Sequence, residues 1–140
     1  MAKLTNKEEK RCDIALASIG LFCTKGIQQT SIEEIAKSAG VAKGTIYLYF
    51  KNKEEIIFTI WDIITKQHEI IFQQKIKPEM SAKEKILEYY NFNDIGKEYD
   101  KEQLLILFQQ FVSSMLIDKT KLYTDYFEKK NKKDYDFILA

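Results

Sequence analysis

The segment TSIEEIAKSAGVAKGTIYLYFKNKEEII, residues 30–57, decides the fold of this chain. It holds two short amphipathic patterns separated by Gly40, and a third begins after Asn52. Thr30 and Glu33 have the spacing of a capping box, in which the hydroxyl bonds forward and the carboxylate bonds back. A helix of about eight residues is too short to be stable alone. We therefore predict that each short helix packs against longer neighbours.

Three aromatic rings, Tyr47, Tyr49 and Phe50, follow the small residues of this segment. Positions i and i+2 of a helix face different ways, so Tyr47 and Tyr49 do not belong to one buried face. Two interpretations of the tyrosines stay open at this point. They are partly exposed packing rings, or they contact a partner outside the chain.

The composition is that of one ordinary globular domain, or of a small domain fused to part of another. Hydrophobic residues make up 45% and charged residues 31% of the 140 residues, which excludes a disordered chain. One proline and five glycines favour long helices over a turn-rich β protein. The formal net charge of +1 does not by itself indicate a nucleic-acid partner.

Cysteine spacing and hydropathy indicate the compartment. Cys12 and Cys23 would lie roughly 16 Å apart on one helix, whereas a disulfide needs Cα atoms within about 7 Å. The sequence shows no signal peptide and no apolar run near the ~20 residues of a membrane span. We predict a cytoplasmic protein without a membrane partner.

Apolar periodicity predicts an all-α fold with seven helices. The sixth, LLILFQQFVSSML, is apolar nearly all round and is expected to be a buried central helix. Residues 91–97 are expected to form a loop or a frayed helix end. The first predicted helix runs from about residue 5 to 24 and is stopped by Gly26, and two short helices follow at 32–39 and 42–48. A long fourth helix begins at Lys53. The fifth is capped by Ser81 and Glu84 and carries Ile86, Leu87 and Tyr90, the sixth is capped by Asp100, and the seventh begins near Asp118.

Two short helices joined by a tight turn between longer helices describe a helix-turn-helix unit. The second helix of such a unit enters the major groove, and its N-terminal residues meet base edges. We therefore expect DNA contacts from Ala42, Lys43, Gly44 and Thr45. Small residues let the backbone approach, Lys43 can reach a guanine or a phosphate, and Thr45 can bond a base or touch a thymine methyl.

Phosphate anchors are expected at two helix N-termini, where free N–H groups and the helix dipole favour an anion. Thr30 and Ser31 offer hydroxyls at the first of these helices. Lys53 stands at the start of the long fourth helix. The alternative for Lys43 and Lys53 is that both are ordinary solvated lysines.

Residues 30–57, together with LFCTKG at residues 21–26, resemble the DNA-binding signature of the TetR family of bacterial transcriptional regulators. The resemblance implies an all-helical homodimer with an N-terminal three-helix helix-turn-helix domain, residues 1–52. It implies that a long fourth helix joins this domain to a helical ligand-binding and dimerisation domain, residues 53–140. Ligand binding there would shift the fourth helix and release DNA.

The resemblance also divides the aromatic segment. It implies that Tyr47 touches a base or phosphate, that Tyr49 contacts the phosphate backbone, and that Ile46 and Phe50 lie inward. Members often carry histidine where this chain has Tyr49, and a tyrosine can bond a phosphate without adding charge. Members usually continue through two further long helices that form the dimer interface, so the C-terminal domain is expected to be shortened.

A ligand pocket needs mostly apolar walls and a few polar groups. Core packing is the alternative for most of the candidate residues, including His68, the only histidine. No second histidine or nearby cysteine completes a metal set, so no metal and no cofactor are expected. The effector is expected to be a small apolar or aromatic-bearing molecule. The candidate ligand contacts are Trp61, His68, Phe72, Tyr90, Phe108, Phe111, Met115, Tyr123 and Tyr126.

The function that these patterns favour is a ligand-responsive repressor that binds a near-palindromic DNA operator as a dimer. The alternative is a shortened helical interaction protein that binds a partner or ligand without productive DNA binding. The sequence has no glycine-rich phosphate loop after a strand and no nucleophile elbow, so we do not expect an enzyme.

Overall fold

The computed structural model describes residues 4–91 and 99–140, and these residues form helices, turns and loops without a strand. The expected loop at residues 91–97 lies, apart from Asn91, outside the described residues. Within them, no helix has the length and apolar character that a membrane crossing requires. The helices are α1 (Asn6–Ala17), α2 (Ile19–Lys25), α3 (Ile32–Ala39), α4 (Lys43–Tyr49), α5 (Lys53–Lys75), α6 (Ala82–Tyr89), α7 (Lys101–Leu116) and α8 (Leu122–Leu139).

The predicted first helix is two helices that meet at Ser18. The fully buried Ser18 hydroxyl donates to the Ile14 carbonyl at 2.8 Å, a bond of the kind that bends helices. Gly26 ends α2 as predicted, but its φ of 89° and ψ of 154° form an extended conformation at positive φ rather than the left-handed helical one. Cys12 and Cys23 lie on either side of Ser18, and both are free thiols.

Helices α3 and α4 form the predicted helix-turn-helix unit, but the predicted cap of α3 is wrong. Ser31, not Thr30, is the N-cap, and it forms the capping box with Glu34 rather than Glu33. Thr30 is buried, and its hydroxyl donates to the Gly26 carbonyl at 2.7 Å, so it closes the preceding loop. Gly40 ends α3 in the left-handed conformation, with φ 68° and ψ 32°.

Helix α5 is the long helix that the sequence predicts. The Asn52 side chain accepts a hydrogen bond from the Glu55 N–H at 3.0 Å. The Glu55 carboxylate bonds the Lys51 N–H rather than Asn52, so only half of a capping box forms. One side of α5 is apolar and packs inward, with Trp61 and Ile71 half-buried. The buried residues of this helix are Ile56, Ile57, Ile60, Ile64, His68 and Phe72.

The buried faces of α6 and α7 differ from the predictions. On α6, Tyr89 is the buried aromatic residue, while Leu87 and Tyr90 are exposed and Ile86 is half-buried. Helix α7 is not buried all round. It has one buried side, and its opposite side carries large exposed apolar residues. These exposed residues are Leu105, Phe108 and Leu116.

Helix α8 begins four residues after the predicted start. Asp118 precedes the helix, and its carboxylate accepts a hydrogen bond from the Tyr123 N–H of the first turn at 2.9 Å. Lys121, with a φ of 61°, makes the turn into the helix.

The main core is continuous across the predicted domain boundary at residue 52. Ile46 and Phe50 of the helix-turn-helix side share one buried cluster with Leu107, Phe111 and Tyr123 of the C-terminal side. A smaller cluster joins α5, α6 and α8 at the far end of the molecule. Contacts between the helix-turn-helix side and the rest therefore run through packed side chains.

Candidate nucleic-acid interface

Two buried side chains attach α4 to the core. Ile46 and Phe50 are both almost fully buried. They lie four residues apart, so they occupy the same side of the chain as it leaves the helix. This inward orientation is the one that the family resemblance implied.

The opposite side of α4 is open to solvent. Ala42, Lys43 and Gly44 are exposed at its N-terminus, and Thr45 is half-exposed. Tyr47 is 52% exposed, and its neighbour Leu48 is 74% exposed. Leu48 was not predicted as a surface residue. The helical period could have shown it, because positions 44 and 48 lie four residues apart on one face.

Tyr49 occupies an intermediate position. Its ring is half-buried against the main core. Its carbonyl accepts a hydrogen bond from Arg11 of α1, which also donates to the Thr59 hydroxyl at 3.3 Å. The Arg11 guanidinium lies 4.3 Å from the centre of the Phe50 ring. The chain's single arginine therefore holds the C-terminal end of α4 against α1 and α5, a role that sequence reasoning missed.

Lys43 at the start of α4 is paired with Glu33 of α3. The pairing lowers the pKa of Glu33 and raises the pKa of Lys43. Both side chains are at least half-exposed, so water and salt weaken the pair. A phosphate close to this position would compete with Glu33 for the Lys43 ammonium.

Of the two hydroxyls predicted to contact phosphate at the N-terminus of α3, one reaches the surface. Ser31 is half-exposed, whereas the buried Thr30 hydroxyl is committed to Gly26. Glu34 already bonds the Ser31 N–H and hydroxyl, and it pairs with Lys25. The Lys25 ammonium and the bonds from Ser31 lower the pKa of Glu34 to about 2. An internal carboxylate therefore occupies part of this N-terminus.

Lys53 connects the long helix to the loop before α3. Its ammonium donates to the Thr30 carbonyl at 3.1 Å and to the Gln28 carbonyl at 3.3 Å. The predicted role of Lys53 as a phosphate anchor stays a prediction. The structure adds that any displacement of the start of α5 would disturb this loop.

The predicted ligand residues are divided between the two core clusters and the surface. Phe111 and Tyr123 are buried in the main core, with Trp61, Met115 and Tyr126 packed against it. Phe72 belongs to the smaller cluster, and Tyr90 and Phe108 are exposed. Their separation follows from helix geometry, because residues along α5 from position 61 to 72 spread over roughly 16 Å. Of the nine residues, Tyr126 lines the cleft that is found between α5 and α8.

His68 is buried within the smaller core. Its Nε2 donates to the Tyr89 carbonyl, and its ring meets the Tyr89 ring edge-on with centroids 5.0 Å apart. These contacts are those of a core histidine. Within residues 4–91 and 99–140, no three His, Cys, Asp or Glu side chains lie close enough together to hold a metal ion.

The geometry defines a helix-turn-helix protein whose second helix has a buried anchor and an open outer face. Residues 14–60 match the family model described as bacterial regulatory proteins, tetR family. The helix-turn-helix region of the chain, residues 14–60, belongs to the TetR family, as its sequence resemblance indicated.

Curated relatives agree with this assignment. The chain is 39% identical over 83 residues to the fatty acid metabolism regulator protein of Bacillus subtilis, covering 59% of this chain and 43% of that protein. It is 31% identical over 125 residues to the HTH-type transcriptional regulator AcrR of Shigella flexneri, covering 84% of this chain and 58% of the relative. The chain thus spans about half the length of the curated relatives it matches.

A solved structure shares the fold. A TetR-family transcriptional regulator from Mesorhizobium loti superposes with a TM-score of 0.63 at 23% identity, covering 91% of this chain and 62% of that one. The similarity extends the common architecture beyond the helix-turn-helix region to most of the described helices.

Proposed function

We propose that the chain is a DNA-binding transcriptional regulator that acts as a repressor. The observation that carries the proposal is the division of α4 into a buried and an open side. Ile46 and Phe50 fix the helix, and Lys43, Gly44, Tyr47 and Leu48 are displayed outward. A rigid helix with small and polar residues at its exposed N-terminus suits the major groove.

The proposed DNA contacts differ from the sequence prediction by the addition of Leu48 and the removal of Thr30. Ala42, Lys43, Gly44 and Thr45 would meet base edges, while Ser31, Tyr49 and Lys53 would contact phosphates. Tyr47 and the newly identified Leu48 would lie against the groove, where a leucine can touch a thymine methyl group. The Thr30 hydroxyl is left out because it is buried.

The regulator would bind as a homodimer to a near-palindromic operator, with recognition helices about 34–36 Å apart or a multiple of that spacing. The exposed apolar side of α7 supports an interface with a second copy. Leu105 and Leu116 on that side are 70% and 79% exposed. A group of exposed apolar side chains of this kind is typical of a protein–protein interface. A small-molecule effector would bind the C-terminal helices and release the DNA through α5.

The test is selection of bound DNA from a random pool, followed by affinity measurements across salt concentrations. The selected sites should contain two related half-sites, and log affinity should fall linearly with log salt as phosphate contacts release counterions. No enriched sequence, or a salt-independent affinity, would contradict the proposal.

The exposed side of α7 also favours a second candidate, an interaction protein that binds a partner protein there without binding DNA. Light scattering combined with size-exclusion chromatography separates the two. A homodimer at micromolar concentration supports the regulator, and a monomer that enriches no DNA sequence supports the interaction protein.

A further inference from the structure

A charged cleft of about 430 Å³ lies between α5 and α8. Helix α5 contributes Asp62, Lys66 and Glu69, and helix α8 contributes Tyr126 and three lysines. The lysines of α8 are Lys129, Lys130 and Lys133. The cleft is large enough for a small molecule, but its lining differs from the apolar pocket expected from the sequence.

Positive charge is in excess in this cleft. Four lysines line it against two carboxylates. Lys66, Lys129 and Lys133 are exposed, so their ammonium groups can turn toward a ligand. Lys130 differs from them, because its side chain is only 17% exposed and its ammonium lies 3.8 Å from the Asp62 carboxylate.

The internal contacts of the cleft hold its wall in place. The Tyr126 hydroxyl donates to Asp62 at 2.6 Å and contacts the Phe58 carbonyl at 3.3 Å. The Tyr126 ring stacks on Phe58 with centroids 4.3 Å apart. Asp62 therefore contacts Tyr126 and Lys130, and Glu69 of α5 is the other carboxylate that lines the cleft.

We propose that this cleft binds a small molecule that carries a phosphate or pyrophosphate group. Lys66, Lys129 and Lys133 would bond the phosphate oxygens, and Lys130 would turn from Asp62 toward the anion. Charge-assisted hydrogen bonds from several ammonium groups are the interactions that make such anions bind in a cleft of this size. A neutral apolar ligand would displace water from these ammonium groups without offering them an acceptor.

The position of the cleft gives it a route to the DNA-binding side. Asp62 and Lys66 lie on the same helix as Lys53, roughly 14 and 20 Å along its axis. Lys53 in turn bonds the loop before α3. As an effector site the cleft rests on the proposed function, whereas anion binding itself does not depend on it.

Calorimetric titration of the full chain with sodium pyrophosphate at low salt tests the site. We expect saturable one-to-one binding that weakens about tenfold or more in the double variant Lys129→Gln, Lys133→Gln. Both residues are exposed, so the fold should be retained, which the thermal midpoint checks. The matched control is Lys119→Gln, Lys132→Gln, which removes two exposed lysines outside the cleft lining and should leave the affinity unchanged.

Three results would overturn the assignment. The first is equal affinity in the parent chain and the cleft variant, and the second is an equal loss in the control variant. The third is equally tight binding of citrate, which would contradict the preference for phosphate. Lys130→Gln provides an independent test, since it should weaken pyrophosphate binding without altering the exposed lysines.

A DNA-binding assay in the presence of pyrophosphate separates this inference from the proposed function. Weakened DNA binding in the parent chain but not in the cleft variant supports an effector site. Pyrophosphate binding by a chain that enriches no DNA sequence supports the cleft and contradicts the regulator. Intact DNA binding by a chain that does not bind pyrophosphate contradicts the cleft alone.

Discussion

Gly44 lies in the exposed first turn of α4 with open space where a Cβ atom would stand. Within the described part of the chain, no neighbouring atom therefore explains the absence of a side chain at this position. A recognition helix provides a reason, because a bare backbone can approach the floor of the groove. Gly40 differs, since its φ of 68° alone favours glycine.

The two glycines yield opposite predictions for stability. Gly44→Ala should stabilise the chain by about 0.5 kcal/mol, because alanine loses less backbone entropy in a helix. Gly40→Ala should destabilise it by about 1–2 kcal/mol, because a Cβ strains the left-handed conformation. Urea unfolding of both variants measures these changes.

The Gly44→Ala variant also tests whether the backbone of α4 contacts the DNA groove. Gly44→Ala should weaken binding to the selected DNA although it stabilises the fold. If Gly44→Ala bound DNA as tightly as the parent chain, close approach of the backbone at this position would be ruled out.

Glu34 contributes a pH-dependent element to the stability of α3. Its pKa is lowered from 4.5 to about 2, first by the hydrogen bond from Lys25 and then by the bonds from Ser31. A folded-state pKa below the unfolded one means that the ionised carboxylate stabilises the fold above pH 4.5. That contribution is lost as the pH falls from 4.5 toward 2.

Glu34→Gln should therefore lower the thermal midpoint at pH 7, and the gap from the parent chain should narrow at pH 3. Circular dichroism melts at both pH values measure the gap. Glu79→Gln, at an exposed position between α5 and α6, is the control and should show no pH-dependent gap. An unchanged gap between pH 7 and pH 3 would show that the charge of Glu34 is unimportant.

At the scale of single helices, the sequence predicted elements with clear end signals. Asn52 and Ser81 mark the starts of α5 and α6, and Gly40 marks the end of α3. The cap of α3 was placed one residue too early because Thr30 and Ser31 both satisfy the capping pattern. Burial decides between them, and burial depends on tertiary packing that the local pattern does not contain.

Helix α7 shows why buried faces are harder to predict than helices. A pattern that is apolar on every side specifies a helix but not which side packs, so we expected complete burial. The same limit applies to the candidate ligand residues. The sequence pattern does not show which aromatic side chains of the C-terminal half pack in which of the two cores. The charged cleft was missed because its residues belong to two helices that are far apart in the sequence.

The exposed side of α7 gives a prediction about assembly. Leu105→Glu, Leu116→Glu should convert a dimer to a monomer in light scattering, because burying charge opposes association. The unfolding midpoint extrapolated to the monomer should remain close to that of the parent chain, since both residues are exposed. Leu87→Glu on α6, at a position that is 63% exposed, is the matched control. A dimer that survives the double substitution would move the interface elsewhere.

At the scale of the whole molecule, Gln110 of α7 joins the C-terminal helices to the helix-turn-helix side. Its amide donates to the Phe22 carbonyl at 2.8 Å and accepts from the Ile27 N–H at 2.8 Å. One side chain thus satisfies two backbone groups at the end of α2, beside Gly26. No local sequence pattern shows such a contact between residues more than 80 positions apart.

Gln110→Leu should destabilise the chain by about 1–3 kcal/mol, because it leaves the Ile27 N–H without its side-chain partner and removes the second of two bonds to the Phe22 carbonyl. The neighbouring Gln109 is exposed, so Gln109→Leu serves as the control and should have little effect. Urea unfolding followed by circular dichroism measures both. Equal midpoints for the two variants would mean that water replaces the Gln110 contacts without cost.

The central claim, that the open side of α4 binds DNA, is tested most directly by Tyr47. Tyr135 on α8 is the matched control, because it is 49% exposed and Tyr47 is 52% exposed. Fluorescence anisotropy with the selected operator should show that Tyr47→Ala weakens binding about tenfold, a loss of about 1.4 kcal/mol. Tyr135→Ala should bind the operator with the affinity of the parent chain. Both variants should have the same thermal midpoint as the parent chain. Equal operator affinity for the parent chain and Tyr47→Ala would contradict the account.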